Sequence, residues 1–284
     1  MGHRPKAPGP ARRDQAARED EEGLTEGPVP ARRHLRRHEP SQPSRATREV
    51  WDMAHLKIGI IGTGSMGEVL ARHLAKLGHR VLMANARGPE SLKELAEKIG
   101  ATPASVADAV QAGDIVILAI PTKAVPRLSP ELFSNLPDRV VVIDIGNYHP
   151  KLRDGRIEAI DQGQLDSPWV AQQIGHPLIK AFNNIFAKSL LEKGAPKGTP
   201  GRIALSVCGD APDAKATVLR LVDDLGFDPV DGGTLKDSWR QQPGTPAYCR
   251  DLDAASLRRA LAEADRSRIV EYRTEQEARI RRSM

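Results

Sequence analysis

Six residues near the start of the regular part of the sequence have the spacing of a phosphate-binding turn. They are Gly62, Thr63, Gly64, Ser65, Met66 and Gly67, which form a G-x-G-x-x-G pattern. The first glycine of such a turn permits a tight bend, the second lets a pyrophosphate approach the backbone, and the third allows close packing of a helix on a strand. The helix that follows adds free N–H groups and the positive end of its dipole. The turn therefore predicts a dinucleotide-binding site.

The segment after the second predicted strand indicates which dinucleotide binds. An NAD site usually carries Asp or Glu there, which accepts a hydrogen bond from the ribose 2′-hydroxyl. This sequence has Asn85, Ala86 and Arg87 instead, and a guanidinium fork suits a 2′-phosphate. We therefore predict NADP as the cofactor, with Asn85 and Arg87 in its site. The alternative interpretation of Arg87 is a surface arginine on a loop.

Two further segments end predicted strands and should lie on the same edge of the sheet. Ala119, Ile120 and Pro121 end the central strand, and Asn147 follows the next one. Ligands of open α/β sheets bind outside the carboxyl ends of the strands. We therefore expect these four residues to contact the cofactor, although Pro121 also suits a simple strand terminator.

The sequence contains no recognisable nucleophile–base pair or metal site. It has no GxSxG or HExxH motif and no histidines and carboxylates clustered at metal-ligand spacing. His176 and Lys180 are candidates for acid–base work, against a structural loop position for His176 and a surface position at a strand end for Lys180. We therefore assign no catalytic residue and no metal. Hydride transfer between two redox cofactors needs no protein acid or base, because the protein mainly positions the two rings.

The elements that must position these residues alternate between strands and helices. We predict strands over residues 57–61, 80–84, 114–120, 140–145, 178–182, 203–208 and 228–230. We predict helices over residues 65–77, 89–99, 106–112, 125–135, 213–225 and about 253–280, and a further helix that follows the strand over 178–182 and runs through Leu191. The strands are nearly all apolar, which is typical of a parallel sheet covered on both faces. The predicted fold class is α/β: a Rossmann-type doubly wound parallel sheet with a small C-terminal α/β extension and a terminal helix.

Three regions are expected along the chain. Residues 1–53 are predicted to be a disordered tail, because they are rich in Pro, Arg, Glu and Gly and poor in large apolar residues. Residues 54–175 are predicted to be the NADP-binding Rossmann domain, and residues 176–284 to complete the substrate cleft and offer a possible dimer interface. Met53 is an alternative start, which leaves open whether residues 1–52 belong to the native protein.

Composition argues against several other classes of protein. The only cysteines, Cys208 and Cys249, are far apart, which disfavours a disulfide framework and favours a reducing compartment. No apolar run approaches the ~20 residues of a membrane span. The net charge of +5 is modest and only 4% of residues are aromatic, which disfavours nucleic-acid binding. We expect a cytoplasmic protein that acts on a small-molecule redox substrate, with no nucleic-acid or membrane partner.

Several motifs together resemble the NADPH-dependent reductases of the deazaflavin coenzyme F420. The resemblance covers about residues 57–264 and rests on segments 58–67, 85–88, 119–121, 180–183, 207–210 and 231–233. It implies hydride transfer between NADP and coenzyme F420 as co-substrate, and a homodimer. It also implies that Arg87 holds the 2′-phosphate and that Ala86 replaces a serine of the family pattern, which removes one hydroxyl donor. The segment from Lys180 to Asn184, including Ala181, would lie against the deazaflavin.

Two other functions are consistent with the sequence. One is an NADP-dependent reductase of an imine, a hydroxy acid or a metal complex. Imine and hydroxy-acid reductases of related sequence usually add a large helical domain, whereas about 50 residues follow Leu235 here, and a metalloreductase would require a membrane haem domain. The other is a non-catalytic NADP-binding sensor, which fits the lack of acid–base residues.

Overall fold

Short runs of branched apolar residues form a parallel sheet at the centre of the protein. The structure is a computed structural model that describes residues 55–111 and 113–283. The strands are β1 (Lys57–Ile61), β2 (Arg80–Ala84), β3 (Thr102–Pro103), β4 (Ile115–Leu118), β5 (Val141–Asp144) and β6 (Ile179–Lys180). Alternate residues of β4 enter two different apolar clusters, Ile115 and Ile117 one and Val116 and Leu118 the other. The sheet is therefore covered on both faces, which explains why its strands carry no polar alternation.

The strand order is β3-β2-β1-β4-β5-β6, and every pairing is parallel. This is the Rossmann order, in which the chain turns one way from β1 to β2 and later returns to place β4 on the other side of β1. The carboxyl ends of β1 and β4 border a crevice at this switch point. The predicted α/β fold class is confirmed.

Ten α-helices of the described residues surround the sheets. They are α1 (Ser65–Lys76), α2 (Lys93–Ile99), α3 (Val106–Val110), α4 (Glu131–Ser134), α5 (Glu158–Asp161), α6 (Asp166–Ile174), α7 (Ala187–Glu192), α8 (Pro212–Asp224), α9 (Ala254–Glu263) and α10 (Ile269–Ser283). The strands β7 (Ala204–Val207) and β8 (Asp228–Asp231) form a separate parallel pair connected through α8. Within the part of the chain that is described, no helix is long and apolar enough to cross a membrane.

Three predicted helices are wrong in detail. The helix predicted over residues 89–99 begins as a 3₁₀ turn, Pro89–Leu92, before α2. The helix predicted over residues 125–135 is a 3₁₀ turn, Thr122–Arg127, followed by the single turn α4. Pro126 and Pro130 interrupt it, because proline lacks the N–H of a helix interior and its ring displaces the preceding turn. The helix predicted over residues 253–280 is divided into α9 and α10, with a short 3₁₀ turn between them that Asp265 caps by accepting a hydrogen bond from the Ser267 N–H at 2.9 Å.

Other differences concern short elements. β3 was not predicted, and neither were α5 and α6; β3 is only two residues long and includes Pro103. The residues from 176 onward supply β6, so they extend the main sheet as well as forming β7 and β8. The predictions for residues 1–53, including a start at Met53, lie outside the described residues, as does Ala112 at the end of a predicted helix.

The last helix is attached to the rest of the protein by buried charged groups. Arg273 of α10 donates a hydrogen bond to the carboxylate of Asp166 at 3.2 Å, and both side chains are less than one-tenth exposed. The same guanidinium lies 4.8 Å from the centre of the Tyr148 ring. The Glu277 carboxylate accepts a hydrogen bond from the Lys151 N–H at 2.9 Å. Burial raises the pKa of Asp166 and Arg273 opposes that shift, so α10 depends on the pairing of the two charges.

We predict that Arg273→Met lowers the free energy of unfolding by about 3–5 kcal/mol, because it leaves a buried carboxylate without its counter-charge. Denaturant unfolding followed by circular dichroism measures the loss. The matched control is Arg279→Met on the same helix, whose side chain is mostly exposed and lies 3.9 Å from Glu275; we expect a change within about 0.5 kcal/mol. Equal losses in the two variants would contradict a special role for the buried pair.

Candidate functional site

A cleft of about 950 Å³ opens where the carboxyl ends of β1, β4 and β5 meet residues of the C-terminal part. All but two of the residues predicted to bind the cofactor line it. These are Gly62, Thr63, Gly64, Ser65, Met66, Gly67, Asn85, Ala119, Ile120, Pro121 and Asn147. Segments separated by more than 80 residues are therefore brought together at the switch point of the sheet.

The three glycines of the turn occupy different environments. Gly62 has a φ of 108°, and a Cβ there would lie 2.2 Å from the carbonyl oxygen of Ala119. A Cβ on Gly67 would lie 2.1 Å from the carbonyl oxygen of Gly62, so helix α1 packs on the turn with no room for a side chain. Gly64 has no atom within 4 Å of such a Cβ and is exposed. The first and third glycines serve packing, and the second faces open space.

The start of α1 has no side-chain cap. Gly64 is its N-terminal flanking residue, with extended backbone angles and no capping hydrogen bond from a side chain. The first N–H groups of a helix have no partner within the helix. An anionic group such as a phosphate is well suited to satisfy them.

Asn85 ties the loop after β2 to the glycine turn. Its amide oxygen accepts a hydrogen bond from the Arg87 N–H at 2.8 Å, and its amide group lies 3.2 Å from the Ser91 hydroxyl oxygen. Its amide nitrogen lies 3.4 Å from the hydroxyl oxygen of Thr63. Ala86 lines the cleft, whereas the Arg87 side chain is exposed beside it and is not part of the lining.

Ala181 is the second predicted residue outside the lining. It is fully buried in the apolar core, and its neighbour Phe182 lines the cleft in its place. His176 lies away from the cleft, with its Nδ1 2.7 Å from the carbonyl oxygen of Pro177, which fits the structural loop position.

Lys180 is buried, so the interpretation as a surface group at a strand end is wrong. Its ammonium group donates a hydrogen bond to the Asp144 carboxylate at 2.9 Å, and the two side chains are 2% and 5% exposed. A second hydrogen bond goes to the carbonyl oxygen of Gly146. Ser167 and the Gly146 N–H also donate to Asp144. Lys180 is absent from the cleft lining. It holds in place residues 144–147, which we call the rim segment, at the carboxyl end of β5.

Sequence reasoning missed a group of polar and aromatic residues in the lining. They are Arg127, His149, Arg153, Phe186, Tyr248 and Cys249. Arg153 donates hydrogen bonds to the Asn147 carbonyl at 2.5 Å and to the Asp154 carboxylate at 3.1 Å. The described residues that line the cleft include no Asp or Glu, so the lining favours an anionic ligand.

Two titratable groups of the cleft, His149 and Cys249, have shifted pKa values that keep them neutral at physiological pH. Burial, reinforced by the nearby Arg153, lowers the pKa of His149 to about 4. Burial raises the pKa of the Cys249 thiol to about 12, and a protonated thiol is a poor nucleophile. No set of three or more His, Cys, Asp or Glu side chains in the described part of the chain could hold a metal ion. The cleft is therefore suited to binding and orienting ligands.

The sheet order, the glycine turn and the position of the cleft define a dinucleotide-binding protein of the Rossmann class. Residues 57–148 match the family described as NADP oxidoreductase coenzyme F420-dependent. The chain belongs to this family.

Two solved structures are similar to the chain. The protein SMa0349 from Sinorhizobium meliloti is 30% identical with a TM-score of 0.59, over 72% of this chain and 98% of that one. A protein from Arthrobacter sp. FB24, described as an F420-dependent NADP-reductase, is 21% identical with a TM-score of 0.53, over 64% of this chain and 87% of that one. At this identity the second likeness shows the shared fold.

Two curated proteins match parts of the chain. The protein YjhV of Escherichia coli (strain K12) is 52% identical over 66 residues, which are 23% of this chain and 48% of its own length. Metalloreductase STEAP3 of Rattus norvegicus is 27% identical over 203 residues, which are 71% of this chain and 36% of its own length. The chain thus spans less than half the length of these curated relatives.

The glycine geometry predicts opposite effects for two alanine substitutions. Gly64→Ala adds a methyl group to open space, so we expect the free energy of unfolding to change by less than about 0.5 kcal/mol. The dissociation constant for NADPH should rise about tenfold or more, because the methyl group keeps the pyrophosphate from the backbone. Gly67→Ala places a methyl group against a backbone oxygen and should cost about 3 kcal/mol of stability.

Denaturant unfolding and titration of protein fluorescence with NADPH measure the two effects. Unchanged NADPH affinity in Gly64→Ala would show that the turn is not the phosphate site.

Proposed function

We propose that the protein is an oxidoreductase that transfers hydride between NADP(H) and the deazaflavin coenzyme F420. The observation that carries this proposal is the open face of Gly64 at the uncapped start of α1, inside a cleft at the switch point of the sheet. The family match covers the same residues. Both fit a site whose first ligand is a dinucleotide phosphate.

The adenosine end of NADP would be held by the loop after β2. The backbone of residues 62–67 would bind the pyrophosphate, and Arg87 would bind the 2′-phosphate from its exposed position beside Ala86. Asn85 supports this role because it fixes the backbone of Arg87. Ser91 does not replace the hydroxyl donor that is missing at Ala86, because its own hydroxyl already donates to the carbonyl oxygen of Gly88. Selectivity for NADP would therefore depend mainly on Arg87.

The nicotinamide end would lie against Ala119, Ile120, Pro121 and Asn147. NADPH, when bound, supplies the hydride, and the protein contributes binding, orientation and exclusion of water. The cleft volume is at the upper end of the ~300–1,000 Å³ usual for ligand sites. This volume is consistent with space for part of a second ring system beside the nicotinamide. The neutral His149 and Cys249 fit a reaction that needs no acid or base from the protein.

We expect the purified chain to oxidise NADPH with oxidised coenzyme F420, followed as loss of the visible absorbance of the deazaflavin. Ferric citrate is the comparison acceptor, because the likeness to the metalloreductase extends over 71% of this chain. Reduction of ferric citrate alone would replace the deazaflavin with a metal complex as the acceptor. Tight binding of NADPH without turnover on either acceptor would favour the alternative function, a non-catalytic NADP-binding sensor.

We predict that NADPH binds at least about tenfold more tightly than NADH, since charge-assisted hydrogen bonds contribute about 1.5–3 kcal/mol. Arg87→Ala should remove most of this difference and leave NADH affinity unchanged. Isothermal titration with both nucleotides gives the four dissociation constants. The assignment of Arg87 fails if the wild-type protein binds the two nucleotides equally.

Three further inferences from the sequence stay predictions: the cytoplasmic location, the homodimer, and the division of labour between residues 54–175 and 176–284. Size-exclusion chromatography with light scattering would test the homodimer.

A further inference from the structure

One wall of the cleft, formed by residues between 182 and 187 and by residues 248 and 249, has an unusual backbone. Among the described residues, only Phe182, Cys249 and Asp251 combine a side chain with a positive φ, at 59°, 50° and 49°. Phe182 and Cys249 both line the cleft. This conformation is strained for a residue with a side chain, and it persists only where the surroundings of the residue determine it. Residues of this kind cluster at ligand sites, so the strain makes this wall a candidate ligand-binding surface.

Hydrogen bonds hold this wall in its strained conformation. The Cys249 N–H donates to the carbonyl oxygen of Asn184 at 2.9 Å. The Asp251 carboxylate accepts from the Ser189 hydroxyl and the Lys193 ammonium group, both at 2.7 Å. Residues 248–251 are therefore fixed to the segment that follows β6 and to helix α7.

A network of side-chain amides fixes the polar groups beside the wall. Asn147 donates to the carbonyl oxygen of Asn183 at 3.0 Å, and Asn183 donates to the Asn147 amide oxygen at 3.0 Å. The buried Gln241 donates to the Asn183 amide oxygen at 2.7 Å, and its own carbonyl accepts from Asn183 at 2.8 Å. These reciprocal bonds determine which end of each amide is the donor. The Asn147 amide nitrogen then lies 3.5 Å from the hydroxyl oxygen of Tyr248.

Tyr248 differs from the other two tyrosines of the chain. The Tyr148 hydroxyl donates to Asp161 at 3.0 Å and accepts from the Ile157 N–H at 2.8 Å, and the Tyr272 hydroxyl accepts from the Asp265 N–H at 3.4 Å. Tyr248 is the one that lines the cleft.

The proton of the Tyr248 hydroxyl is available for a ligand. The amide of Asn147 occupies an acceptor position of its oxygen, and the neighbouring Cys249 thiol is only a weak acceptor. No stronger acceptor lies within hydrogen-bond distance in the part of the chain that is described. Burial raises the pKa of Tyr248 well above its usual 10, so the hydroxyl remains a donor throughout the physiological range.

An apolar surface lies next to this donor. Phe186 is 53% exposed, although it is a large aromatic residue, and it lines both the cleft and an adjoining cavity of about 380 Å³. Tyr248 and Cys249 also line both spaces. An exposed ring beside a fixed donor suits a flat heterocycle with a carbonyl oxygen at its edge.

We propose that the Tyr248 hydroxyl donates a hydrogen bond to a ring carbonyl of the second substrate, a planar conjugated heterocycle that packs against Phe186. The inference rests on the proposed function. In the reaction, the C4–H bond of the dihydronicotinamide breaks and its hydride forms a new C–H bond on the heterocycle. The negative charge that this transfer delivers reaches the conjugated carbonyl, where the hydrogen bond strengthens, and a proton from solvent completes the reduction. Tyr248 keeps its own proton throughout.

The test compares two variants of the full chain. Tyr248→Phe removes the hydroxyl and keeps the ring, and Tyr272→Phe is the control outside the cleft. We expect Tyr248→Phe to lower kcat/KM for coenzyme F420 about 100-fold, as loss of one donor to a developing charge does, with the dissociation constant for NADPH and the melting temperature unchanged. Tyr272→Phe should keep the wild-type kcat/KM. Tyr248→His restores an N–H donor and should retain more activity than Tyr248→Phe.

Three outcomes would overturn the inference. One is a kcat/KM for Tyr248→Phe within threefold of the wild type. Another is a loss of kcat/KM in both Tyr248 variants that is accompanied by an equal loss of NADPH affinity or of folded protein, because this would indicate a structural role. The third is a Tyr248→His variant no more active than Tyr248→Phe. A wild-type chain that binds NADPH and does not reduce coenzyme F420 overturns the proposed function itself, and this inference falls with it.

Discussion

The buried ion pair between Lys180 and Asp144 connects the two halves of the cleft. Asp144 ends β5 and Lys180 ends β6, and the ammonium group also holds the carbonyl of Gly146 on the rim. Two buried charges are costly to remove from water, and the loss is recovered only when the remaining lone pairs and protons are satisfied. Ser167 and the Gly146 N–H complete the set around Asp144. The pair thereby fixes the rim at Asn147 relative to the segment at Phe182 and Asn183.

The cleft that results fits the proposed hydride transfer through position and charge. Its glycine turn offers uncapped N–H groups to an anion, and the described lining carries arginines without carboxylates. Its shifted titratable groups, His149 and Cys249, are neutral at physiological pH. A site of this kind can hold two ligands in a reactive arrangement while the redox chemistry belongs to the ligands. The chain's place in the NADP oxidoreductase family fits that division of work.

The part of the fold that could be predicted is the part specified by local patterns. The glycine spacing and the apolar runs predicted β1, α1 and β2, because each depends on residues close together in the sequence. The alternation of strands and helices predicted the Rossmann-type parallel sheet, and the strand order itself comes from the structure. The C-terminal wall could not be predicted, since Tyr248 approaches Asn147 across 101 positions of sequence. Lys180 shows the same limit: its sequence context resembles a strand end, and only the partner Asp144 explains its burial. Pro126 is by contrast a local signal, because a proline in a helix interior is incompatible with the continuous helix predicted over residues 125–135.

The separation between Asn147 and Tyr248 also orders events during synthesis. At about 5–20 residues per second, roughly 5–20 s pass between the emergence of one residue and of the other from the ribosome. The glycine turn and the carboxyl ends of β1, β4 and β5 all precede this interval. The nascent chain therefore carries every residue of the glycine turn well before it can close the opposite wall. Non-local contacts of this length also form slowly in a free chain, so we expect closure of the cleft to be a late step in maturation, whether the protein folds on the ribosome or after release.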